Sequence, residues 1–332
     1  MPPGEPPMRR RLALMLPALA LGRALPPARA DQVPPRDVRL IVPYAPGGTT
    51  DQICRMLAEG LGPRLGGRTM VVENRSGGGT FIAMQAVATA PADGCTMALS
   101  STAVLATAPV LPGFTMPMDT DQALLPLTSL IRVPMVLVGR PDAPYATLPE
   151  LIAYAKANPG KLNIGNSGQG GQTHLLAARL LYEAGISMEQ IQYRGGTPAL
   201  LDILSGNADL YFSLLPESLP FIRDNRLRPL AFASTERNPT LPDVPLVSET
   251  LPGFSGDVGY GLVMHAGTPP EWVAFWNAEI NRYMNRPEVR ERMLKLLWVP
   301  KNGTSAAYRA EIAEDRRVWG GVIQAAGIRS GT

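Results

Sequence analysis

The sequence predicts an α/β fold built from mainly parallel sheets that are flanked by helices. Short apolar runs of strand length alternate with amphipathic helical patterns along nearly the whole chain, which is typical of parallel α/β sheets. The chain has 332 residues, 45% of them hydrophobic and 18% charged, a composition that suits one large globular domain or two lobes. The strand-like runs are residues 38–44, 69–73, 96–100, 133–139, 162–165, 190–193, 208–212, 228–233 and 259–264.

Residues 1–30 come first and have the pattern of a secretory signal. A basic start at residues 9–11 precedes an apolar run at 12–22 that is too short to span a bilayer, and Ala28-Arg29-Ala30 matches an A-x-A cleavage site. We therefore expect an exported protein whose signal is cut after Ala30. The arginines leave two export routes open, the general secretory route and the twin-arginine route.

Removal of that segment changes the charge of the chain. Residues 1–30 contain five arginines and one glutamate, so 26 Lys and Arg remain against 27 Asp and Glu, and the net charge falls from +3 to −1. A nearly neutral chain lacks the electrostatic footprint of a nucleic-acid-binding protein. After residue 30, no apolar run reaches the length that spans a membrane.

The stretch RLIVPYAPGGTTDQICRMLAEGL, residues 39–61, is predicted to form a strand, a glycine turn and a helix. One apolar helical face is formed by Ile53, Met56, Leu57 and Leu61. We expect Thr49 to cap the helix, Gln52 to complete a capping box, and Asp51 to be favoured in the first turn by the helix dipole. A well-capped helix explains these residues without a ligand, so this turn alone does not establish a binding site.

The same arrangement recurs, and its recurrence indicates a ligand. In KLNIGNSGQGGQTHLLAARLL, residues 161–181, a short strand and a glycine-rich turn lead to a helix that we expect Thr173 to cap. In YRGGTPALLDIL we expect Thr197 to be the cap and Pro198 the first helical residue. Similar turns follow two further strands. Because helix N-termini attract anions and ligands gather at the carboxyl ends of strands, the turns predict an anion-binding cleft between two lobes.

The chain has only two cysteines, Cys54 and Cys95. They are expected at opposite ends of parallel strands, about 15–20 Å apart. A disulfide requires Cα atoms within about 7 Å, so we predict two free, buried thiols. The only histidines are His174 and His265, and without a Cys/His cluster we expect no metal site.

Seven motifs, taken in order, give the chain a family resemblance that no single motif would give. They are IVPYAPGGTTD (41–51), VVENRSGGG (71–79), ADGCTMAL (92–99), SGQGGQTHLLA (167–177), YRGGTPALLDILSGNADLYF (193–212), LPDVPLVSE (241–249) and AGTP (266–269). Over nearly all of residues 37–328, the chain resembles the substrate-binding proteins of tripartite tricarboxylate transporters, the Bug family.

The resemblance implies a two-lobed type II periplasmic binding protein fold, with the ligand cleft between the lobes and hinge closure around the ligand. It places the crossing strands at 133–139 and 260–265. The first lobe would combine residues 37–138 with 260–332, and the second lobe would be residues 139–259.

The ligands of the family are mostly small organic acids, held largely by backbone amides, hydroxyls and water. Carried over residue by residue, the resemblance implies ligand-binding positions at Tyr44, Gly47, Gly48, Thr49, Ser101, Thr102, Ser167, Gly168, Thr173, His174, Thr197 and Ala199. Asp51 and Asp209 match acidic positions of the family motifs. Because a carboxylate side chain repels an anionic ligand, we assign both to the bracing of loops.

Several positions keep two interpretations. His174 either donates a hydrogen bond to a ligand carboxylate or packs on a neighbouring loop. Arg194 pairs with a second ligand carboxylate or, as we favour, is an exposed loop arginine. Tyr44 and Tyr260 are expected as cleft walls, with core packing as the alternative. Departures from the family pattern, such as Gly259 in place of a common tryptophan, leave the ligand unnamed.

We therefore predict a periplasmic solute-binding protein that closes on a small organic carboxylate and delivers it to the membrane subunits of a tripartite tricarboxylate transporter. The alternative on the same fold is a ligand receptor that feeds a sensor. A hydrolase is disfavoured, because GNSGQ at 165–169 lacks the last glycine of a nucleophile elbow. We expect a monomer without enzymatic activity, cofactor or nucleic-acid partner.

Overall fold

The computed structural model describes residues 33–77, 80–168, 170–193 and 195–329, which form two β-sheets with helices packed against each. The predicted signal at 1–30 and Arg194 lie outside the described residues. Within the described ranges, no helix is long and apolar enough to cross a membrane.

The first sheet has six strands. They are β1 (Val38–Val42), β2 (Met70–Asn74), β3 (Thr96–Ser101), β4 (Leu124–Val133), β10 (Val258–His265) and β11 (Val299–Pro300), numbered in chain order. Their spatial order is β11-β4-β10-β3-β1-β2. β1 is parallel to β2 and β3, whereas β10 is antiparallel to β3 and β4, and β11 is antiparallel to β4.

The second sheet has five strands. They are β5 (Met135–Gly139), β6 (Asn163–Asn166), β7 (Glu189–Gln192), β8 (Leu210–Leu214) and β9 (Arg228–Phe232). Their spatial order is β7-β6-β8-β5-β9. β6 is parallel to β7 and β8, whereas β5 is antiparallel to β8 and β9.

The expectation of mainly parallel sheets is corrected by this topology, because both sheets are mixed. The strands that precede the glycine turns pair in parallel, as the alternation of strands and helices predicts. The antiparallel pairs involve β4, β5 and β10, which carry the chain from one sheet to the other. No crossover helix of the kind that joins consecutive parallel strands leads into β10, and β10 is antiparallel to both of its neighbours in the first sheet.

Ten α-helices surround the sheets in the described part of the chain. They are α1 (Thr49–Leu61), α2 (Phe81–Ala88), α3 (Thr120–Ala123), α4 (Leu148–Ala157), α5 (Gln172–Ala184), α6 (Gly196–Ser205), α7 (Leu215–Arg223), α8 (Pro270–Met284), α9 (Pro287–Lys295) and α10 (Ser305–Ala325). The predicted apolar face of α1 is confirmed. Each of its four residues is at most 1% exposed: Ile53, Met56, Leu57 and Leu61.

The chain passes between the sheets at two neighbouring points. β4 ends at Val133 and β5 begins at Met135, so the run predicted as one strand at 133–139 is divided at Pro134, which has no N–H for a ladder. The second passage precedes β10. There, Asp257 Oδ1 accepts hydrogen bonds from the Met135 N–H at 3.4 Å and from the Ser234 hydroxyl at 2.6 Å. Asp257 therefore ties the two passages together.

Both cysteines are free and completely buried, as predicted. Cys54 lies in α1, and Cys95 directly precedes β3. Burial raises the pKa of both thiols and so favours the protonated form, which is a poor nucleophile. The described residues include no group of three or more His, Cys, Asp or Glu side chains that could hold a metal ion.

Candidate functional site

The turn between β1 and α1 leaves its backbone open. Residues 45–48 are exposed, and no atom lies within 4 Å of the position that a Cβ would take at Gly47 or Gly48. Within the described chain, no acceptor is bonded to the N–H groups of Gly48 and Thr49, as is usual at the start of a helix. This turn is therefore able to donate hydrogen bonds to an anion.

The expected capping box at this turn is wrong. Gly48 is the N-cap residue and Thr49 is the first helical residue, and no side chain caps this end of α1. Gln52 instead donates from Nε2 to the Gly47 carbonyl at 3.1 Å. Because no side chain covers the start of the helix, its N–H groups stay accessible.

Asp51 lies beneath the turn and is 3% exposed. Its Oδ2 accepts hydrogen bonds from the Gly47 N–H at 2.9 Å and from Arg55 at 2.8 Å, and its Oδ1 accepts one from Asn74 at 3.0 Å. Burial alone would raise the pKa of Asp51, but these three donors lower it, so the carboxylate is ionised at neutral pH. These contacts suit the bracing role proposed for Asp51, and they engage the Gly47 N–H within the turn.

The end of β3 lies beside this turn. Ser101 and Thr102 are each 4% exposed, and the Ser101 hydroxyl is near enough to the Tyr44 phenol to lower its pKa against the larger effect of burial. Thr102 Oγ1 accepts the Gly259 N–H at 3.4 Å, and its methyl carbon would lie 2.7 Å from a Cβ at position 259. The side chain of Thr102 thus fills the space beside Gly259, which accounts for the glycine where the resemblance leads to tryptophan.

The turn after β6 is held from within by the start of α5. Thr173 Oγ1 accepts the Ser167 N–H at 2.8 Å and lies 3.0 Å from Ser167 Oγ. The expected cap is wrong, because Gly171 is the N-cap and Thr173 is the second helical residue. Gly168 has φ +149°, a backbone conformation that favours glycine. Thr173 therefore holds the turn together and does not cap the start of the helix.

His174 is completely buried in the same turn. Its Nδ1 accepts the Gly170 N–H at 3.1 Å, so that nitrogen carries no proton. This bond holds the ring of His174 against the loop that precedes α5.

The turn before α6 also differs from the expected cap. Gly195, with φ +121°, is the N-cap and α6 begins at Gly196, so Thr197 is the second helical residue and Pro198 the third. Thr197 is exposed, whereas Ala199 is completely buried in the hydrophobic core against the second sheet. The side chain of Ala199 therefore packs in the core and is not available to a ligand.

Asp209 lies at the opposite end of β8 from the glycine turns. Its Oδ2 accepts the Asn163 N–H at 2.9 Å, and its own N–H donates to Asn163 Oδ1 at 2.9 Å. Because β6 and β8 are parallel, this reciprocal pair joins the starts of the two strands. Asp209 braces that edge of the sheet, away from the turns that follow the strands.

Two further polar residues, which the sequence patterns did not single out, lie at the edge where the glycine turns are. They are Tyr211 in β8 and Glu217 in α7. A Cβ at Gly196 would lie 2.8 Å from the Tyr211 hydroxyl and 2.9 Å from Glu217 Oε2, and the Ser167 hydroxyl is near enough to Tyr211 to affect its pKa. Glu217 is in the first turn of α7, which starts directly after the carboxyl end of β8, so the rule that ligands gather at such ends would have found it.

Side chains from the two sheets meet here. Burial raises the pKa of Tyr260 in β10, and the proximity of Tyr44, Glu217 and Tyr211 raises it further. Burial also raises the pKa of Glu217 to about 7. Tyr260 from the first sheet therefore lies near Tyr211 and Glu217 from the second, and it is 6% exposed and packs in the hydrophobic core together with Tyr44.

Two sheets joined by two neighbouring chain passages, with glycine turns and tyrosines meeting between them, define a two-lobed binding protein of the periplasmic type. The chain matches the tripartite tricarboxylate transporter family receptor, TctC, over residues 53–328, and it belongs to that family. It is 33% identical over 327 residues to Protein BugT of Bordetella pertussis, a match that covers 97% of this chain and 99% of that protein.

Solved structures give the same result. An R. palustris protein with adipate matches with a TM-score of 0.83 and 30% identity, over 89% of this chain and 99% of that one. The periplasmic binding protein BugD matches with a TM-score of 0.79 and 31% identity, over 89% and 99%. MatC from Rhodopseudomonas palustris with bound malate matches with a TM-score of 0.79 and 27% identity, over 87% and 99%. These binding proteins confirm the predicted family and the two-lobed fold with a cleft between its lobes.

Proposed function

We propose that this protein captures a small organic carboxylate between its two lobes and delivers it to the membrane subunits of a tripartite tricarboxylate transporter. The observation that carries the proposal is the open turn before α1. Its Gly48 and Thr49 N–H groups have no acceptor in the described chain, and the turn lies where side chains of the two sheets approach each other. Adipate and malate, found with two structural neighbours, are ligands of this chemical class.

Helix N-termini supply the attraction that a carboxylate needs. Each one carries about half a unit of positive charge, and each interaction contributes about 0.3–1 kcal/mol, or more when partly buried. One such terminus holds an anion weakly in water. The starts of α1, α5 and α6, together with the hydroxyls of Ser101 and Ser167, add enough donors to grip a carboxylate without an arginine.

The placement in the cell and the lobe limits belong to the same proposal. We infer that residues 1–30 are a signal that is cut after Ala30, and that the mature protein acts as a periplasmic monomer by binding, not by catalysis. The lobe limits implied by the resemblance, 37–138 with 260–332 and 139–259, shift with the sheets: we place the first boundary at Pro134, because β5 pairs in the second sheet, and the second boundary before Val258, because β10 pairs in the first. The change of sheet at Pro134 supports a hinge at the first passage.

Thermal unfolding of the purified protein against aliphatic, aromatic and amino carboxylates tests the proposal. A ligand at about 100 times its dissociation constant adds about 2.7 kcal/mol of stability, which raises the midpoint by several degrees. We expect one class of acids to do so. A flat response to every acid would contradict the proposal, provided that mass spectrometry of the denatured protein shows no co-purified acid.

Transport is tested in the cell. Deletion of the gene should abolish uptake of the acid that raises the unfolding midpoint. Unimpaired uptake with a lost transcriptional response to that acid would indicate a sensor receptor instead.

A further inference from the structure

Glu217 enters the cleft without a partner. No hydrogen bond or ion pair joins its carboxylate to any of the described residues, and burial is the single cause of its raised pKa. Asp51, the other acidic group near the glycine turns, is bonded to three donors. The two carboxylates are therefore not equivalent, because Asp51 is satisfied within the fold and Glu217 has acceptor oxygens to offer.

The surroundings of Glu217 are aromatic. The Tyr211 hydroxyl and Glu217 Oε2 lie on the same side of Gly196, where a Cβ would meet both within 2.9 Å. Tyr260, from the first sheet, is near enough to Glu217 to interact with it electrostatically. An unpaired carboxylate beside a phenol hydroxyl favours an ammonium group, because the carboxylate supplies negative charge and both groups have oxygens that accept hydrogen bonds.

We propose that Glu217 forms an ammonium subsite with the Tyr211 hydroxyl beside Gly196, and that the ligand is an amino carboxylate. This inference rests on the proposed function and names the substrate class of the same cleft. The ligand carboxylate binds at the turn before α1, in the first lobe, and the ammonium group binds Glu217, in the second. A zwitterion that joins the lobes in this way supplies the donors that Glu217 lacks and favours the closed arrangement.

The opposing possibility is a protonated Glu217 that donates a hydrogen bond to a second carboxylate of a dicarboxylic acid. The two cases have opposite dependences on pH. An ammonium group binds the ionised carboxylate, so its affinity rises from about pH 6 to about pH 8, whereas a second carboxylate binds the neutral form and its affinity falls.

The other titratable groups near Glu217 do not confuse this comparison. Burial raises the pKa of Tyr44, Tyr211 and Tyr260, so these phenols stay neutral throughout that range. The strands that pack against α7 are β8, which contributes Tyr211, and β5, which has no titratable side chain. Two cationic side chains near α7, Arg223 of α7 and Lys295 of α9, line a groove beside this helix together with Leu219.

Calorimetric titration of the full protein with matched acids tests the subsite. The pairs are β-alanine and propionate, γ-aminobutyrate and butyrate, and δ-aminovalerate and valerate, with glycine betaine as a quaternary ammonium probe and glutarate and adipate as dicarboxylates. We expect an amino acid to bind at least about tenfold more tightly than its partner, with an affinity that rises with pH. Glycine betaine shows whether the subsite also accepts a methylated cation.

Glu217→Gln should remove the tenfold preference and leave the affinity for the acid without an amino group unchanged. Glu236→Gln is the matched control, because Glu236 is an exposed loop glutamate on a different element from Glu217, and this variant should retain the preference. Should Glu217→Gln fail to fold, the matched pairs and the pH dependence of the wild-type protein still decide the question.

Three results would overturn the subsite. Equal affinities within each pair, an unchanged preference in Glu217→Gln, or tight binding of dicarboxylates that weakens as the pH rises would each show that Glu217 does not bind an ammonium group. All three leave the proposed function standing, because a carboxylate still binds. Failure of every acid in both classes would remove the proposed function and the subsite together.

Discussion

At the scale of single residues, Gly48 keeps the turn before α1 open. Its φ of −76° is available to any residue, and nothing lies within 4 Å of a Cβ at this position. We expect Gly48→Leu to unfold at the wild-type midpoint and to bind its carboxylate at least about tenfold more weakly, because the side chain covers free N–H groups. Calorimetric titration measures the affinity. Gly321→Leu, on an exposed part of α10 with open space around it, should leave the affinity unchanged and raise the midpoint slightly, because leucine favours a helix more than glycine does.

Asp51 and Glu217 make the free energy of unfolding change with pH in opposite directions, and for Asp51 it falls in acid. Because its pKa lies below 3.8 in the folded protein, Asp51 contributes stability above that pH and loses it as the pH falls through the folded value. Asp51→Asn should cost about 1–3 kcal/mol at neutral pH. Urea unfolding at several pH values would show the difference shrinking in acid. A difference independent of pH would mean that the charge of Asp51 is unimportant.

Glu217 should destabilise the ligand-free protein near neutral pH. Its pKa is 4.5 in the unfolded chain and about 7 in the folded protein, so the folded state binds more protons between these values and stability falls as the pH rises through that interval. Relative to the wild type, Glu217→Gln should therefore gain stability from about pH 4.5 to about pH 7 and level off above it. Denaturant titrations of both proteins measure this, and parallel pH profiles would contradict the burial of the carboxylate.

At the scale of elements, Asp257 fastens the two chain passages between the sheets. Loss of its bonds to the Met135 N–H and the Ser234 hydroxyl leaves two donors without their acceptor. We expect Asp257→Ala to destabilise the protein by about 1–3 kcal/mol and Asp257→Asn, which retains an oxygen at the same place, to cost less. Thermal unfolding of the two variants makes the comparison. Equal costs would show that the shared acceptor is not what holds the passages.

Strands that precede helices could be predicted, because the change of hydrophobic period at each glycine turn marks their ends. β4 was missed apart from its last residue, since Pro126 interrupts a stretch that otherwise reads as a strand. β11, with two residues, is too short to leave a pattern. The direction of β5 and β10 depends on contacts between distant parts of the chain, which no local period records.

The turns of the site could be predicted for the same reason, but their helix caps could not. Glycine serves as the N-cap before α1, α5 and α6, one or two positions ahead of the threonine that the pattern favours. Ala199 came from the resemblance, and its burial follows from packing in the second lobe. Glu217 was overlooked because α7 starts directly after β8, with no glycine turn to mark the junction.

At the scale of the whole molecule, the two thiols should report global unfolding. Cys54 and Cys95 are completely buried, and their raised pKa values suppress the thiolate. We expect neither to react with a thiol reagent in the folded protein, and both to react at the rate of global unfolding. A cysteine placed at exposed position 236 should react at once. Early reaction of Cys95 alone would reveal local opening before β3.

The position of β10 also sets an order of events during synthesis. The second sheet uses one continuous part of the chain and is complete at residue 232. The first sheet has β10 between β3 and β4, so its centre stays unfilled until residue 265 has emerged, and its edge strand ends at residue 300. Long-range pairing of this kind is slow to form. The nascent protein therefore keeps the first of its two sheets incomplete until most of the chain has been made.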